Sequence, residues 1–468
     1  MKKVLLINSN TEVLPYPVAP LGLSLVANSL AGTYQVKVID FAFSSTNSLL
    51  KDIKNYKPDY IGVSIRNIDN VTMRKSKWYI EELKQLIIDP IKVTFEGPVI
   101  IGGSGFSIAP AEILNYLNVD YGIIGEAENI FCDLLKELDT NSIPKSIEGL
   151  VLKNQKEIKP RIFKEGKLEV KSSNIDQLID FKPYAERGSY PIQAKRGCIH
   201  KCIYCSYPNI EGNTYRLRNV TDIVNEIEEV SKRMPNIVFE FVDSIFNSPL
   251  NHAVNICDEI IKRNLRVNLR TMGVNPGEVT DDLIRLMKQA GFAQIDCTPD
   301  SASAGMLKSY RKNFNLEKLI ECAYIIRKYD MPTMWFFMMG APKETEETIK
   351  ETFDFIDEFI FEEDMVHITE GIRIIPKTEL FEIALKESVI SKFQNVIEPM
   401  FYVDPKLGKE NLTRILEQEI GKRNNVLNSI DTRPTKELMQ RTIKYRTKNN
   451  INEPMFRSLL KVQNLLQV

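Results

Sequence analysis

Apolar residues in this chain come in short continuous runs separated by segments of helical periodicity. VLLIN (4–8), VKVIDF (36–41), YIGVSI (60–65), VIIGGS (99–104) and YGIIGE (121–126) read as strands. Their apolarity is continuous rather than alternating, as in a parallel sheet buried on both faces. Helical patterns at 21–31, 72–87 and 110–117 fall between them. Such units predict a doubly wound, Rossmann-like α/β domain over residues 1–140, with its ligand crevice beyond the carboxyl ends of the strands.

A poorly periodic, Lys-rich stretch at 141–186, with hairpin-like fragments around LVLKNQKEIKPRIF, reads as a linker. A second strand series then begins: YPIQAKR, NIVFEFVD, RVNLRTM, AQIDCTPD, TMWFFMMG and HITEGIRII. Helical patterns such as 222–233, 281–290, 317–329 and 344–358 separate its members. Six units predict a partial (β/α)6 barrel of the TIM type over 187–388, with its chemistry on the loops after the strands. Beyond about Ser388 the strand pattern stops, and 389–468 reads as a mostly helical region.

Composition narrows the function classes. A chain of 468 residues with 43% apolar content can bury more than one core. A net charge of −1 offers no general argument for nucleic acid, which is not an expected partner. The local bias is at 421–468, where ten Lys/Arg face three Asp/Glu, either a solvated face or a surface for an anionic partner. No apolar run is long enough to span a membrane, and KKVLLIN after Met1 carries no cleavage site, so neither a span nor a secretory signal is expected. Seven cysteines, three of them clustered, are not a disulfide framework and suit a reducing cytoplasm.

Two sets of residues carry chemistry. The first is the strand-end rim of the N-terminal domain: Asn8 and Ser9, then Ser64, Arg66 and Asn67. Gly102, Gly103, Ser104 and Gly105, with Gly125 and Glu126, complete it. Glycines admit a large ligand close to the backbone, and the small polar residues offer hydrogen bonds. The second is KRGCIHKCIYCSYP (195–208), after the first strand of the second series. Cys198, His200, Cys202 and Cys205 could close a zinc knuckle. Alternatively, Cys198, Cys202 and Cys205 hold an iron–sulfur cluster and leave one iron open for a substrate or cofactor.

The C-x3-C-x2-C spacing, with Tyr204 before the last cysteine, resembles the signature of the radical S-adenosylmethionine (SAM) superfamily. The resemblance continues through YRLRNVTDIVNEIEEV, FVDSIFN, PDSAS and MGAPKETEET at successive strand ends. SIRNIDN, IIGGSGFSI and IIGEAE are similar to the cobalamin-binding domain that precedes the barrel in one branch of that superfamily. The resemblance implies a 4Fe-4S cluster on the three cysteines, whose open iron binds SAM and reductively cleaves it. It places Tyr204, Asp300, Ser301 and the turn Gly340, Ala341 and Pro342 around SAM, with Asp243 and Ser244 near its amino group or the substrate. Cobalamin would occupy the N-terminal rim.

The function so implied is a cobalamin-dependent methyltransferase that moves a methyl from methylcobalamin to a non-nucleophilic carbon or phosphorus. The alternatives are a cobalamin-associated oxidative cyclase or rearrangement enzyme, and a non-enzymatic corrinoid- or zinc-binding scaffold. Methylthiolation of tRNA is disfavoured, because those enzymes carry three further N-terminal cysteines and this domain has only Cys132. The three histidines, at 200, 252 and 367, all lie outside the N-terminal domain, so no histidine of that domain can ligate cobalt from below. Arg66, which cannot coordinate, is the candidate for that face. Arg270, Trp335, Glu370 and Arg373 are candidate contacts to a small-molecule, lipid or peptide substrate, and Glu370 could equally pair with Arg373. A flavodoxin- or ferredoxin-type donor would supply electrons.

Overall fold

The structure, a computed structural model, describes residues 1–467 except 141–143, 145–146, 155–160, 164–165, 171, 431–433 and 452. Much of the predicted linker therefore lies outside the described residues. The N-terminal sheet comprises β1 (Lys3–Asn8), β2 (Gln35–Asp40), β3 (Tyr60–Ser64), β4 (Val99–Gly102), β5 (Tyr121–Ile123) and β6 (Leu150–Leu152). Its spatial order is β2-β1-β3-β4-β5-β6, parallel except for β6, which runs antiparallel to β5. The continuous apolar runs follow from burial on both faces: Leu5 and Ile7 pack into one core, Val4 and Leu6 into another on the opposite side.

The predicted helix at 72–87 starts later. The chain stays irregular to Trp78, and helix runs from Tyr79 through a π-type turn to Thr94. The delay leaves a loop after β3 whose Asp69 and Arg74 reach the second domain.

That domain begins with β7 (Tyr190–Ile192) and the short antiparallel pair β8 (Lys195–Arg196) and β9 (Arg216–Leu217) that brackets the cysteine loop. β10 (Val238–Phe241), β11 (Asn268–Val274), β12 (Phe292–Asp300), β13 (Thr333–Met339) and β14 (Met365–Glu370) follow, separated by helices. The tail is not purely helical. β15 (Ile372–Arg373) pairs with β16 (Phe401–Tyr402), and β17 (Val426–Asn428) adds a seventh parallel strand beside β14. The barrel sheet thus runs β17-β14-β13-β12-β11-β10-β7. β17 is only three residues long, too short to give a strand signal of its own.

Barrel strands alternate. Phe239, Phe241, Leu269, Ile295, Cys297, Trp335, Phe337, Val366 and Ile368 are buried against the helices. Their neighbours Glu240, Arg270, Asp296, Phe336 and His367 therefore point into the lumen. The last helix (Met455–Gln467) closes the barrel from below: Phe456 and Leu460 pack on Met334, Met365 and Leu427, and Arg457 pairs with Asp364 (2.9 Å) and Asp330 (2.8 Å).

Candidate functional site

The cysteine loop leaves the barrel through Gly197, whose φ is +87°; a Cβ there would lie 2.0 Å from the Thr214 carbonyl oxygen, so the loop can close only on glycine. Within it the Cys198 N–H donates to the Gly212 carbonyl (3.1 Å) and the Cys205 N–H to that of Cys202 (3.1 Å). Ile203 pins the loop over the barrel mouth: its N–H donates to the Tyr310 carbonyl and its own carbonyl accepts from the Leu380 N–H. Its side chain shares an apolar cluster with Tyr310, Ala341 and Ile372. The Gly340–Pro342 turn is thereby brought against the cysteine loop, held by the Gly340 N–H on Glu344 (3.1 Å) and by the Ser309 hydroxyl on the Pro342 carbonyl (2.6 Å).

All three cysteines are free thiols, Cys198 buried and the others half-buried. Burial raises their pKa values, that of Cys205 to about 12, while Lys195 draws Cys198 and Lys312 draws Cys202 back. His200 is occupied elsewhere: its Nε2 lies 3.3 Å from the Tyr215 hydroxyl, 3.3 Å from Asn275 Nδ2 and 3.4 Å from Ser248 Oγ. Burial, with Lys312 and Lys195 nearby, pushes its pKa down to about 4. Among the described residues no three His, Cys, Asp or Glu side chains converge on a point that would hold one metal ion. With the His200 ring engaged elsewhere, three cysteines remain, the ligand set of a cluster with one open iron rather than of a four-ligand zinc knuckle.

Beside this loop lie buried polar atoms with no partner. Lys195, 2% exposed, holds its ammonium 4.7 Å from the Tyr215 ring centroid and makes no hydrogen bond. Asp243 Oδ1 accepts from the N–H groups of Ala194 and Lys195 (2.9 Å each), but Oδ2 accepts from none, and the Ser244 hydroxyl lies within reach of the Cys198 thiol. Burial pushes Asp243 up to about 6 against the pull of Lys195. Unpaired buried cations and carboxylates are costly. Together they suit a ligand carrying both an ammonium and a carboxylate, as SAM does.

The other residues expected near SAM divide. The Asp300 carboxylate is taken by the Tyr204 hydroxyl and the Lys312 ammonium (2.7 Å), so it braces the cysteine loop. The Ser301 hydroxyl is buried and engaged elsewhere, lying 3.2 Å from the Thr352 hydroxyl and accepting from the Ser303 N–H (3.1 Å).

A cleft with about 1620 Å³ of space free of protein atoms, part of it open to solvent, separates the two domains. Asn8, Ser64, Arg66, Gly102, Gly103, Ser104, Gly125 and Glu126 line one side; Ser189, Pro191, Arg196, Glu240, Val242 and Met272 of the barrel line the other. Gly103 has φ +101°, and a Cβ there would meet the Ile65 carbonyl oxygen at 2.5 Å, so the rim needs glycine to turn. Ser9 and Asn67 line a smaller pocket next to it instead, and Gly105 lines neither. Several rim side chains serve the rim itself. Asn8 donates to Asp40 (2.8 Å), Ser9 to the Ser64 carbonyl (2.8 Å) and Ser104 to the Arg66 carbonyl (2.7 Å). Arg66 lines the cleft with no ion pair among the described residues. Glycine backbone, an open floor and an unpaired guanidinium fit a large anionic-tailed ligand such as cobalamin.

Glu126 does more than line the cleft: Arg216 grips it with two hydrogen bonds and Arg196 lies 3.2 Å away, itself paired with Glu128 (2.6 Å). Three of the four candidate substrate residues are engaged away from the lumen. Trp335, 1% exposed, faces outward onto Phe355. Glu370 and Arg373 do not pair with each other; Glu370 pairs with Arg74 (2.6 Å) and Arg373 with Asp69 (2.6 Å), tying the barrel to the N-terminal loop. Only Arg270 faces the lumen, paired with Glu240 (2.7 Å). Sequence reasoning missed Lys195 and Lys312; Lys195 stands inside the cysteine motif, but only its burial reveals it.

Among the described residues no helix is long and apolar enough to cross a membrane. Comparison with known proteins agrees with the two-domain reading. Residues 8–135 match the B12 binding domain and residues 192–356 the Radical SAM superfamily. The tryptophan 2-C-methyltransferase of Streptomyces laurentii is 24% identical over 441 residues, 80% of this chain and 73% of that one. The radical S-adenosylmethionine methyltransferase TsrM from Kitasatospora setae, solved with cobalamin and a 4Fe-4S cluster and also with tryptophan substrate and a SAM analogue, superposes with a TM-score of 0.83. That match is 20% identical and covers 100% of this chain and 99% of the other. The cobalamin-dependent SAM radical enzyme OxsB gives 0.73 at 17% identity, covering 100% and 71%. The chain is thus a cobalamin-binding-domain radical SAM protein, a B12-binding domain joined to a radical SAM barrel.

Proposed function

We propose that the protein is a cobalamin-dependent radical SAM methyltransferase acting on a carbon or phosphorus centre that lacks nucleophilic character. The observation that carries this reading is the shared mouth: the strand ends of the B12-binding domain and the flanks of the cysteine loop, Arg196, Tyr207, Ile210 and Glu211, line one cleft with the barrel residues Glu240 and Met272. Cys198, Cys202 and Cys205 would hold the cluster; Lys195, Asp243, Ser244 and the Gly340–Pro342 turn would hold SAM. Ser64, Arg66, Gly102, Gly103, Ser104 and Gly125 would line the cobalamin. When bound, these groups supply electron transfer, the methyl group and a carrier for it. The chain's own part is to orient them, to brace the cysteine loop through Tyr204, Asp300 and Lys312, and to exclude water with apolar walls such as Met272 and Met338. Electrons would come from a flavodoxin- or ferredoxin-type donor, and residues 1–140, 187–388 and 389–468 would be the three working units.

The test is anaerobic reconstitution with iron, sulfide and cobalamin, followed by incubation with methyl-deuterated SAM, a reductant and a small-molecule panel headed by tryptophan. The reading expects S-adenosylhomocysteine and a product heavier by one labelled methyl. A rearranged product with 5′-deoxyadenosine and no methyl gain would overturn it in favour of a cyclase or rearrangement enzyme.

A further inference from the structure

The barrel lumen lies below the cleft, and its walls are uneven in chemistry. On one side stand Glu240, Arg270 and Asp296, on three adjacent strands. Arg270 is spent: its guanidinium pairs with Glu240 at 2.7 Å, donates to Ser189 Oγ (3.2 Å) and lies 4.3 Å from the centroid of the Tyr16 ring. Tyr16 itself donates to Glu240 (3.2 Å). Two carboxylates therefore face one cation, and the carboxylate left over is Asp296. Its side-chain hydrogen bond is from the neutral amide of Gln294, at 3.3 Å. Burial, followed by repulsion from Glu240, pushes Asp296 up to about 7, opposed only by the Gln294 amide and by the charge of Arg270, which is already paired with Glu240.

The next two strands, β13 and β14, make the adjoining wall aromatic. Phe336 and His367 stack face to face, ring centroids 4.9 Å apart and planes 9° from parallel. His367 is 6% exposed, on the inward register of β14, and its Nε2 has no hydrogen-bond partner. Burial lowers its pKa to about 4, so it stands there neutral. Met272, 38% exposed, and the half-buried Met338 leave room above, and Phe456 and Leu460 seal the floor. Among the described residues, the lumen lining thus holds a carboxylate with no ion pair of its own, Asp296, and a buried nitrogen with no hydrogen-bond partner, His367 Nε2. Each is costly unless a ligand pairs with it.

We infer that the lumen is the substrate chamber and selects a small molecule bearing an ammonium group, held by Asp296, on an apolar or aromatic body laid against Phe336 and His367. The inference deepens the proposed methyl transfer and rests on it for the identity of the ligand as substrate. A substrate whose own charged group is only a carboxylate would meet Glu240 and Asp296 where the neighbouring cation, Arg270, is already engaged.

The experiment is calorimetric titration of the cofactor-loaded protein with phenethylamine and with 3-phenylpropionate, which share a body and differ in the charged group. The amine is expected to bind at least about tenfold tighter, roughly 1.4 kcal/mol. Asp296→Asn should bring the two within about threefold of each other, and Asp296→Glu should restore the preference. Equal affinities in the unaltered protein, a preference for the acid, or an amine preference that survives Asp296→Asn would each overturn the inference. Should Asp296→Asn fail to fold, the comparison in the unaltered protein decides alone. Methyl transfer assayed on the same preparation separates the two readings. Transfer without amine preference defeats the chamber assignment, and amine preference without transfer defeats the reaction.

Discussion

Lys312 is the residue whose removal tells most about the cysteine loop. It is nine-tenths buried, pairs with Asp300, and donates also to the Thr298 carbonyl (3.3 Å). Asp300 in turn accepts from Tyr204, one residue from Cys205. Lys312→Met leaves a buried carboxylate with one hydroxyl for company, a change that typically costs about 3–5 kcal/mol. The expected outcome is a lower urea midpoint together with a more negative midpoint potential of the reconstituted cluster, because a positive charge near Cys202 and Cys205 is gone. A potential unchanged from that of the unaltered protein would remove Lys312 from the cluster's surroundings. Neither Lys195 nor Lys312 is legible in sequence, where a lysine is by default a solvated side chain. The cysteines were legible because three soft ligands within eight residues point to a metal centre wherever they stand in the fold.

At the scale of elements, the alternation of strands and helices was legible nearly throughout, since parallel strands buried on both faces leave continuous apolar runs. What periodicity could not show was β17, three residues long, and the late start of the helix at Tyr79, where charged residues serve another domain rather than a helix face. Nor could it tell which way Trp335 and Ser301 point; a shift of one position along a strand or turn exchanges lumen for helix layer. The turn after β13 carries its own prediction. Glu344 caps it, accepting from the Gly340 N–H and the Thr348 hydroxyl (2.6 Å), and burial raises its pKa to about 7. Its folded pKa lies above the ordinary 4.5, so the folded state holds the proton that the unfolded chain has lost. Stability therefore falls as pH rises from about 4.5 to about 7, by at most about 3 kcal/mol from this group. Glu344→Gln should flatten that part of the profile. Denaturant midpoints at pH 5 and pH 8 measure it: the difference between them should be smaller in the variant, and an equal difference would assign the slope elsewhere.

Across the whole molecule, the two domains are joined by charge pairs that the sequence presented as ligand contacts. Asp69–Arg373 and Arg74–Glu370 clamp the loop after β3 onto the barrel, and Glu126 is shared by Arg196 and Arg216 at the end of the cysteine hairpin. The same hairpin that carries the cysteines thus grips the rim of the B12-binding domain, so the spacing between cluster and cleft is set by Glu126 rather than by the described part of the linker. Glu126→Ala leaves two nearly buried guanidinia facing each other, with Glu128 holding only Arg196. An uncompensated buried charge of this kind costs about 3–5 kcal/mol. The strain is relieved by the rim and the hairpin moving apart, which widens the cleft while the cysteine loop keeps its own hydrogen bonds. Cobalamin should then be lost at least about tenfold faster on gel filtration, and iron content after reconstitution should stay at the level of the unaltered protein. Arg74→Ala, which breaks a partly solvated pair with Glu417 but also bares Glu370, should give a smaller loss. Cobalamin retained as well by Glu126→Ala as by the unaltered protein would show that the pair decorates the interface rather than sets it.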